Sequence, residues 1–263
     1  MYLRNRRSEF AEPEPGKNYE LGREAALKAV ALDDSLAEAQ AVVGMTRLAK
    51  YDFAAAENQL KRAVELDPGN SRIREWLSFV YYWTDRPAEA LVEANRAVQN
   101  DPLSPSAHAE VGRALCANGQ VAQGLARLKR VDGLKPPLAR AATYRALCHG
   151  RNGDWAAALA ALPRETSGGV LRGYALARVG RRREALVILG ELMNLQKRTG
   201  DAAYFIAIVY AGLGDHDRAS EWLDRSVGEA SQNSQLELSL FDDGLKADPR
   251  YNEFRRRIGL QKR

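Results

Sequence analysis

Apolar and polar residues alternate along this chain with a period near 3.6 residues, the spacing of one face of an α-helix. The β-branched residues are scattered, and no run shows the two-residue alternation that is typical of a strand. Short turns containing glycine, proline and aspartate separate the apolar runs. This pattern predicts an all-α fold that is built from many short helices.

Prolines mark an internal repeat. Pro68, Pro102 and Pro136 are spaced by 34 residues, and each follows an apolar helical run. Self-similarity at a period of roughly 20–50 residues is the signature of a repeat architecture. The third residue after each proline is taken as position 1 of a unit, which gives Ser71, Pro105 and Ala139. One period before Ser71, a further unit begins at Ala37.

Fixed positions of this unit carry one kind of side chain. Small residues at positions 8 and 20 let two antiparallel helices approach closely, and larger apolar residues at position 24 fill the space beside them. The unit is therefore a packed helical hairpin. The residues are Gly44, Ser78, Gly112 and Ala146 at position 8, Ala56, Ala90, Gly124 and Ala158 at position 20, and Leu60, Ala94, Leu128 and Leu162 at position 24.

The unit also contains signals for helix ends. Glycine near position 15 can end the first helix, and a following aspartate can cap the second. Ser104 and Pro105 form a plausible N-cap and first helical residue. The expected turn residues are Gly119, Gly153, Gly180 and Gly214, with Asp154 and Asp215 as caps.

These signals divide the chain into a single solenoid domain with different ends. We expect residues 1–36 to form a degenerate N-terminal repeat and residues 37–233 to form six units. Residues 234–263 are expected to be a C-terminal capping segment with a last helix over residues 249–258. Atypical ends are typical of repeat proteins, because terminal repeats must cover an otherwise open apolar face.

The fourth unit is predicted to be short. Ala158 and Ala185 both occupy position 20, but only 27 residues separate them. The missing residues correspond to about two helical turns. Pro163 lies where the second helix should continue, so we expect that helix to end after Leu162 and the superhelix to bend near Pro163.

With its small residues at positions 8, 20 and 27 and its proline at position 32, the chain resembles the tetratricopeptide-repeat family. Position 4, where the family favours tryptophan, holds Gln40, Arg74 and His108 in the first three units. The resemblance implies an open, right-handed α-solenoid of antiparallel helix pairs, the tetratricopeptide-repeat superhelix. Such modules hold other polypeptides.

A narrower resemblance concerns the tail LFDDGLKADPRYNEFRRRIGL, residues 240–260. It is similar to the end of a tetratricopeptide module found in bacterial membrane-linked signalling proteins, whose other halves are winged-helix regulators, adenylate cyclases or serine/threonine kinases. The resemblance implies the sensing or partner-binding part of a signalling system. We find no kinase, cyclase or winged-helix signature here, so the chain is either an excised module or a free-standing relative.

Composition adds limits on location and partners. Hydrophobic residues make up 45% and charged residues 28% of the chain, which is ordinary for a globular protein. The most apolar stretch, residues 202–214, is too short to span a bilayer. Residues 1–10 lack the apolar core of a signal peptide. We expect a cytoplasmic location by default, while the narrower resemblance allows an extracytoplasmic one.

The net charge is +5, and its densest runs are residues 181–183 and residues 255–257. We interpret these arginines as solvated helix faces, which makes nucleic acid an unlikely partner. Cys116 and Cys148 form no C-x-x-C pair. We expect two free core thiols, a state that weakly favours a reducing compartment.

The family resemblance also implies where a partner binds. Its concave face is lined chiefly by positions 2, 5, 9, 12 and 13 of the first helices. Aromatic residues there give contact area at low entropic cost, and arginine pairs well with carboxylates. The predicted partner is a protein or peptide with apolar and acidic residues. The predicted groove residues are Met45, Arg72, Phe79, Tyr82, Trp83, Arg113, Arg140, Tyr174, Arg178 and Tyr204.

Alternatives stay open at this point. Phe79, Tyr82 and Trp83 could instead pack between adjacent first helices. The chain could be a structural scaffold that self-associates or braces a membrane complex, or, less favoured, a nucleic-acid-linked regulator. Its oligomeric state is not fixed by the sequence.

No catalytic residue is predicted. His108, His149 and His216 lie far apart in the repeat and have no second ligand at metal spacing. There is no G-x-x-x-x-G-K-[ST] loop, and Asp242 and Asp243 have no companion acid or base. The expectation is a protein without enzymatic activity, small-molecule substrate, cofactor or metal.

Overall fold

The computed structural model describes residues 17–48, 50–134, 138, 140–162, 169–200, 202–228 and 243–260. In these ranges the chain is helical and contains no strand, which confirms the all-α prediction. The fifteen helices are α1 (Lys17–Leu32), α2 (Ala37–Leu48), α3 (Phe53–Leu66), α4 (Ser71–Trp83), α5 (Pro87–Asn100), α6 (Pro105–Ala117), α7 (Val121–Val131), α8 (Arg140–Arg151), α9 (Trp155–Ala161), α10 (Gly169–Arg178), α11 (Arg182–Thr199), α12 (Ala203–Gly212), α13 (His216–Gly228), α14 (Asp243–Ala247) and α15 (Pro249–Arg257).

Each predicted unit is a helical hairpin. The pairs are α2/α3, α4/α5, α6/α7, α8/α9, α10/α11 and α12/α13, and the helices within each pair contact each other. The small-residue columns are the reason for this close approach. A Cβ atom added to Gly112 would lie 2.6 Å from Leu128 Cγ and 3.1 Å from the Gly124 carbonyl oxygen. Positions 8, 20 and 24 therefore meet as predicted.

First helices of successive units also touch, in the pairs α2/α4, α4/α6, α6/α8 and α10/α12. Within the described ranges, the second helices α3, α5 and α7 make no comparable contacts with one another. The stack is therefore tighter on the side of the first helices, so that side is the concave inner face of the solenoid.

The helix ends follow the predicted signals. Gly119, Gly153, Gly180 and Gly214 all have positive φ, between 76° and 80°. Ser104 Oγ accepts a hydrogen bond from the amide of Ala107 at 3.1 Å, and Asp154 Oδ1 accepts one from Ala157 at 2.9 Å. In units one and two the same turn position is occupied by Tyr51 and Asp85, each with φ of 60°.

These turns give a matched pair of substitutions. Gly180 has φ of +80° and open space around it, so Gly180→Ala should lower the free energy of unfolding by about 1–2 kcal/mol through backbone strain alone. Gly190 lies inside α11, also in open space, and Gly190→Ala should raise it by about 0.5–1 kcal/mol. Urea denaturation of both variants measures the difference. Equal effects of the two substitutions would contradict the assigned turn.

The fourth unit has a second helix of 7 residues, α9, compared with 14 in α3 and α5. Trp155 of α9 packs against Tyr174 of α10, with their ring centroids 4.9 Å apart. Pro163 and the predicted bend lie outside the described residues, so the bend stays a prediction. Residues 1–16 and 229–242 also lie outside the described ranges. They include the first part of the predicted N-terminal repeat, the end of the sixth unit and the start of the predicted cap.

The expectation of two free thiols is wrong. Cys116 of α6 and Cys148 of α8 form a disulfide with a Cα–Cα distance of 5.4 Å. They are 32 residues apart, close to one repeat. Residues about one repeat apart on successive first helices are neighbours across the stack, and this juxtaposition brings the two sulfur atoms together.

Candidate functional site

The first helices α4, α6 and α8 lie side by side and bring together the central part of the predicted groove. A cluster of charged and aromatic side chains links the three helices across their inner face. We call it the inner-face cluster. Its members are Glu75, Phe79, Tyr82, Ser106, Glu110, Arg113, Arg140 and Tyr144.

A buried ion pair forms the centre of the inner-face cluster. Arg113 and Glu110 are each 3% exposed, and Arg113 Nε donates a hydrogen bond to Glu110 Oε2 at 2.9 Å. The hydroxyl of Tyr144 donates to the other oxygen, Glu110 Oε1, at 2.8 Å. Both oxygens of the buried carboxylate are therefore satisfied, as burial of a charge requires.

Aromatic rings surround the cation. The guanidinium carbon of Arg113 lies 3.8 Å from the ring centroid of Tyr82 and 4.9 Å from that of Phe79. The Phe79 ring in turn packs against Trp83, with centroids 4.6 Å apart. Arginine over an aromatic face is an attractive cation–π arrangement, strongest when water is excluded. Arg113 is thus held rigidly by α4 and α6 together.

A second carboxylate, Glu75, is buried beside this pair. Ser104 Oγ donates to Glu75 Oε1 at 3.3 Å, and Ser106 Oγ donates to Glu75 Oε2. Arg140 bridges both acids, with its Nη2 atom 3.6 Å from Glu75 Oε2 and 3.8 Å from Glu110 Oε1. The cluster therefore holds two carboxylates and two guanidiniums, and only Arg140, with 43% of its side chain exposed, reaches solvent extensively.

The predicted groove residues separate into two groups. Met45, Arg72, Phe79, Arg140 and Arg178 keep part of their surface accessible, whereas Tyr82 and Arg113 are buried in the cluster. The buried group also includes Trp83, Tyr174 and Tyr204, which are 3%, 2% and 0% exposed. These three side chains pack in the core, where no ligand reaches them in this structure. The prediction that the five buried residues offer surface to a partner is therefore wrong for this structure.

Comparison with known proteins decides the family. Models described as tetratricopeptide repeat match residues 47–110 and residues 170–234. The chain belongs to the tetratricopeptide-repeat family. A search of curated proteins found no match to this tetratricopeptide-repeat chain.

Solved structures show the same fold. The crystal structure of PilW, a type IV pilus biogenesis factor, is 18% identical with a TM-score of 0.54, over 68% of this chain and 86% of that one. A chain of the crystal structure of the APC/C hetero-tetramer Cut9–Hcn1 is 14% identical with a TM-score of 0.59, over 88% of this chain and 46% of that one. At these identities the likeness shows the solenoid fold alone. The tetratricopeptide-repeat matches support a role in protein–protein interaction.

Four residues of the inner-face cluster, Glu75, Ser106, Glu110 and Tyr144, are not among the ten residues predicted for the tetratricopeptide-repeat groove. Glu110 and Tyr144 both occupy position 6 of their units, which is outside the five positions carried over from the family, and Ser106 occupies position 2 of unit three. The signal that could have found these last three is their spacing. Tyr144 and Glu110 are 34 residues apart, as are Arg140 and Ser106, and each pair is hydrogen-bonded across adjacent repeats.

Burial dominates the electrostatics of the site. Loss of hydration raises the pKa of the Glu75 carboxyl; the Ser106 hydrogen bond opposes this shift, and the nearby charge of Glu110 adds to it. Burial also raises the pKa of the Tyr144 hydroxyl. Tyr144 therefore stays a neutral donor to Glu110 near neutral pH.

The raised pKa of Glu75 predicts a pH-dependent stability. Because folding favours its protonated form, Glu75 contributes stability below its unfolded pKa and loses that contribution as pH rises through the folded pKa. Glu75→Gln removes this titration while it keeps an acceptor for Ser106. Urea unfolding from acidic to neutral pH should show the variant gaining stability relative to wild type as pH rises. A difference that is constant with pH would contradict the buried, desolvated carboxyl.

The described helices include none that is both long and apolar enough to cross a membrane. The same residues contain no group of three or more histidine, cysteine, aspartate or glutamate side chains that could hold a metal ion.

Proposed function

We propose that this tetratricopeptide-repeat protein is a non-catalytic interaction module whose inner face binds a peptide or protein with acidic and apolar residues. The observation that carries the proposal is the charge that the inner face presents to solvent. Glu75 and Glu110 are buried, whereas Arg72 and Arg140, which lie near these carboxylates, are exposed to solvent. An approaching ligand therefore meets positive charge.

The position of the polar side chains in their helices strengthens the preference for an acidic ligand. Arg72, Ser106 and Arg140 each lie in the first turn of their helix, α4, α6 and α8 respectively. We call this edge of the inner face the open end. Helix N-termini carry partial positive charge, which adds to that of the arginines. Guanidinium groups bind carboxylates through two parallel hydrogen bonds, so a glutamate, aspartate or C-terminal carboxylate fits the open end best.

An apolar contact is available next to these charges. Phe79 is partly buried on α4, and Met45 is partly buried at the same repeat position on the neighbouring helix α2. A flexible thioether beside an aromatic ring accommodates apolar side chains of different shapes. The partner is thus expected to place an apolar anchor within a few residues of its acidic group.

A displayed library of random peptides tests the proposal. Selected peptides should combine acidic with aromatic or aliphatic residues. Arg72→Glu, alone or with Arg140→Gln, should weaken their binding by about tenfold or more, which corresponds to about 1.4 kcal/mol. Arg62→Glu on the outer helix α3 is the matched control, since Arg62 is also exposed. Selected peptides without acidic residues, or equal losses in the control, would refute the proposed site.

The role in a bacterial signalling system rests on the resemblance of residues 240–260 to signalling modules and is part of this proposal. The disulfide supports the extracytoplasmic alternative, because disulfides persist in oxidising compartments. Nucleic-acid binding has less support. In the arginine runs, Arg181 pairs with Glu184, Arg256 with Glu253 and Arg257 with Asp224, so part of their charge is already balanced.

A self-associating scaffold is the second candidate function. The observation that favours it is a set of exposed leucines along and just after α1, of which Leu32 is 89% exposed. Exposed apolar patches often mark protein contacts. Sedimentation equilibrium of wild type and of Leu27→Ser with Leu32→Ser separates the two candidates. A wild-type oligomer that the substitutions dissolve would favour the scaffold, and a monomer at all concentrations would exclude it. The set is Leu21, Leu27, Leu32 and Leu36.

A further inference from the structure

The two ends of the described solenoid meet. A Cβ atom added to Gly259, which follows α15, would lie 3.3 Å from the carbonyl oxygen of Tyr51 and 3.8 Å from Phe53 Cδ2. Tyr51 and Phe53 belong to the turn of unit one. The neighbouring side chains Ile258 and Leu260 are buried. Residues 243–260, the C-terminal segment, therefore contact the first unit as well as the last.

The C-terminal segment is firmly attached to unit six. Arg250 forms an ion pair with Asp217 at 2.7 Å, and Arg257 pairs with Asp224, both on α13. The Phe254 ring stacks on Tyr204 of α12 with centroids 6.4 Å apart. Helix α15 thus occupies the place that the first helix of a seventh unit would take, and it moves with unit six.

The C-terminal segment contacts units one and two in a different way from unit six. The described ion pairs of α15 join it to α13 or to its own segment. Towards unit one, the backbone of Gly259 lies against the backbone of Tyr51 and the ring of Phe53. Asp85 of unit two lies close enough to Tyr251 to add to the rise of the Tyr251 pKa that burial causes. Since the described ion pairs of α15 all lie on the side of unit six or within its own segment, the contact with units one and two is the place where the ring of units would open.

Backbone strain is concentrated at this contact. Tyr51 and Asp85 have positive φ, at the turn position where units three to six have glycine. A non-glycine residue in this conformation is strained, because its Cβ atom crowds the backbone. Units one and two, which face the C-terminal segment, therefore have a side chain at the turn position where the other units have glycine. Burial raises the pKa of the Tyr51 hydroxyl to about 12.

Among the buried aromatic residues of the inner face, Tyr204 is covered by the C-terminal segment. In an open superhelix, residues at positions 12 and 13 of the first helices face the concave side. Tyr82 and Trp83 occupy these positions and are buried, as is Tyr204, which Phe254 covers. The open end, at the other edge of the inner face, keeps Arg72 and Arg140 exposed.

We propose that the C-terminal segment is a latch that closes the solenoid at the edge formed by its helical turns and restricts how much of the inner face a partner can reach. The inference rests on the proposed function, because it concerns regulation of the same face. In the closed state a ligand reaches only the open end. Release of the contact between Gly259 and Tyr51 separates unit six from unit one. A longer segment of the partner can then bind along α4, α6 and α8.

Two variants of the full chain test the latch. A truncation after Arg257 removes Ile258, Gly259 and Leu260 but keeps both ion pairs to α13. A chain with Tyr51→Cys and Gly259→Cys, oxidised, locks the contact. Amide hydrogen exchange of the unbound proteins is measured first, at the turn over residues 50–53. Exchange should rise in the truncated chain and fall in the locked chain, with circular dichroism unchanged in both.

Affinity for library-selected peptides is measured next. If the latch is open in about a tenth of molecules, truncation should tighten binding about tenfold, and locking should weaken it. Unchanged exchange in the truncated chain would overturn the latch contact. Changed exchange with equal affinity in all three proteins would show a purely structural contact and overturn the regulation. Absence of binding in all three proteins would instead refute the proposed function, and the regulatory role with it.

Discussion

Arg113→Met is expected to lower the free energy of unfolding by about 3–5 kcal/mol, as removal of one partner of a buried ion pair does. Glu110 would keep its charge at 3% exposure, with only Tyr144 and the distant Arg140 as partners. The variant would also lose the cation that lies between the rings of Tyr82 and Phe79. Urea denaturation followed by circular dichroism measures the loss.

A second substitution separates charge from packing. In the Arg113→Met background, Glu110→Gln removes the uncompensated charge but keeps an acceptor for Tyr144. Recovery of a large part of the lost stability is expected, because a neutral pair of similar volume is often tolerated in place of a buried ion pair. A loss of less than about 1 kcal/mol in Arg113→Met alone would mean that the pair is hydrated.

Removal of the Cys116–Cys148 disulfide should lower the free energy of unfolding by about 3–4 kcal/mol, the loop-entropy value for a loop of this size. The cross-link spans 32 residues and joins α6 to α8, the two helices that carry Glu110, Arg113 and Tyr144. Its loss is therefore expected to loosen the inner-face cluster as well. Thermal and urea unfolding with and without reductant provide the measurement.

The double variant Cys116→Ala with Cys148→Ala is the control, since reductant should leave its stability unchanged. The sulfur of Cys116 packs so closely on α7 that a Cβ atom on Gly124 would lie 2.3 Å from it, and alanine avoids a new clash there. Complete alkylation of both cysteines in the native, unreduced protein would contradict the disulfide. So would a wild-type stability that does not respond to reductant.

The hairpin architecture could be predicted from sequence because its determinants are local and repeated. Gly112, Gly124 and Leu128 meet as the columns require, since antiparallel helices at close distance need small residues at facing positions. The turn glycines follow from the same frame. The disulfide could not be predicted in this way, because it joins position 12 of one unit to position 10 of the next, and the repeat alone does not give the offset between stacked helices.

The site was predictable only in its outline. Phe79, Tyr82, Arg113 and Arg140 come together as the repeat positions imply. Packing of Trp83 was one of two readings that the sequence left open. The burial of Tyr174 and Tyr204 was not predicted, because it depends on contacts with other units: Trp155 of α9 packs against Tyr174, and Phe254 of α15 stacks on Tyr204. No single repeat contains that information.

Photo-crosslinking with a selected peptide tests the central claim most directly. A benzophenone-bearing residue replaces the apolar anchor of the peptide, and mass spectrometry locates the cross-linked residues. Binding at the inner face predicts cross-links on α4, α6 or α8, close to Phe79 and Arg140, that an excess of unlabelled peptide abolishes. Cross-links on α1, or on the outer helices α3, α5 and α7, would contradict it.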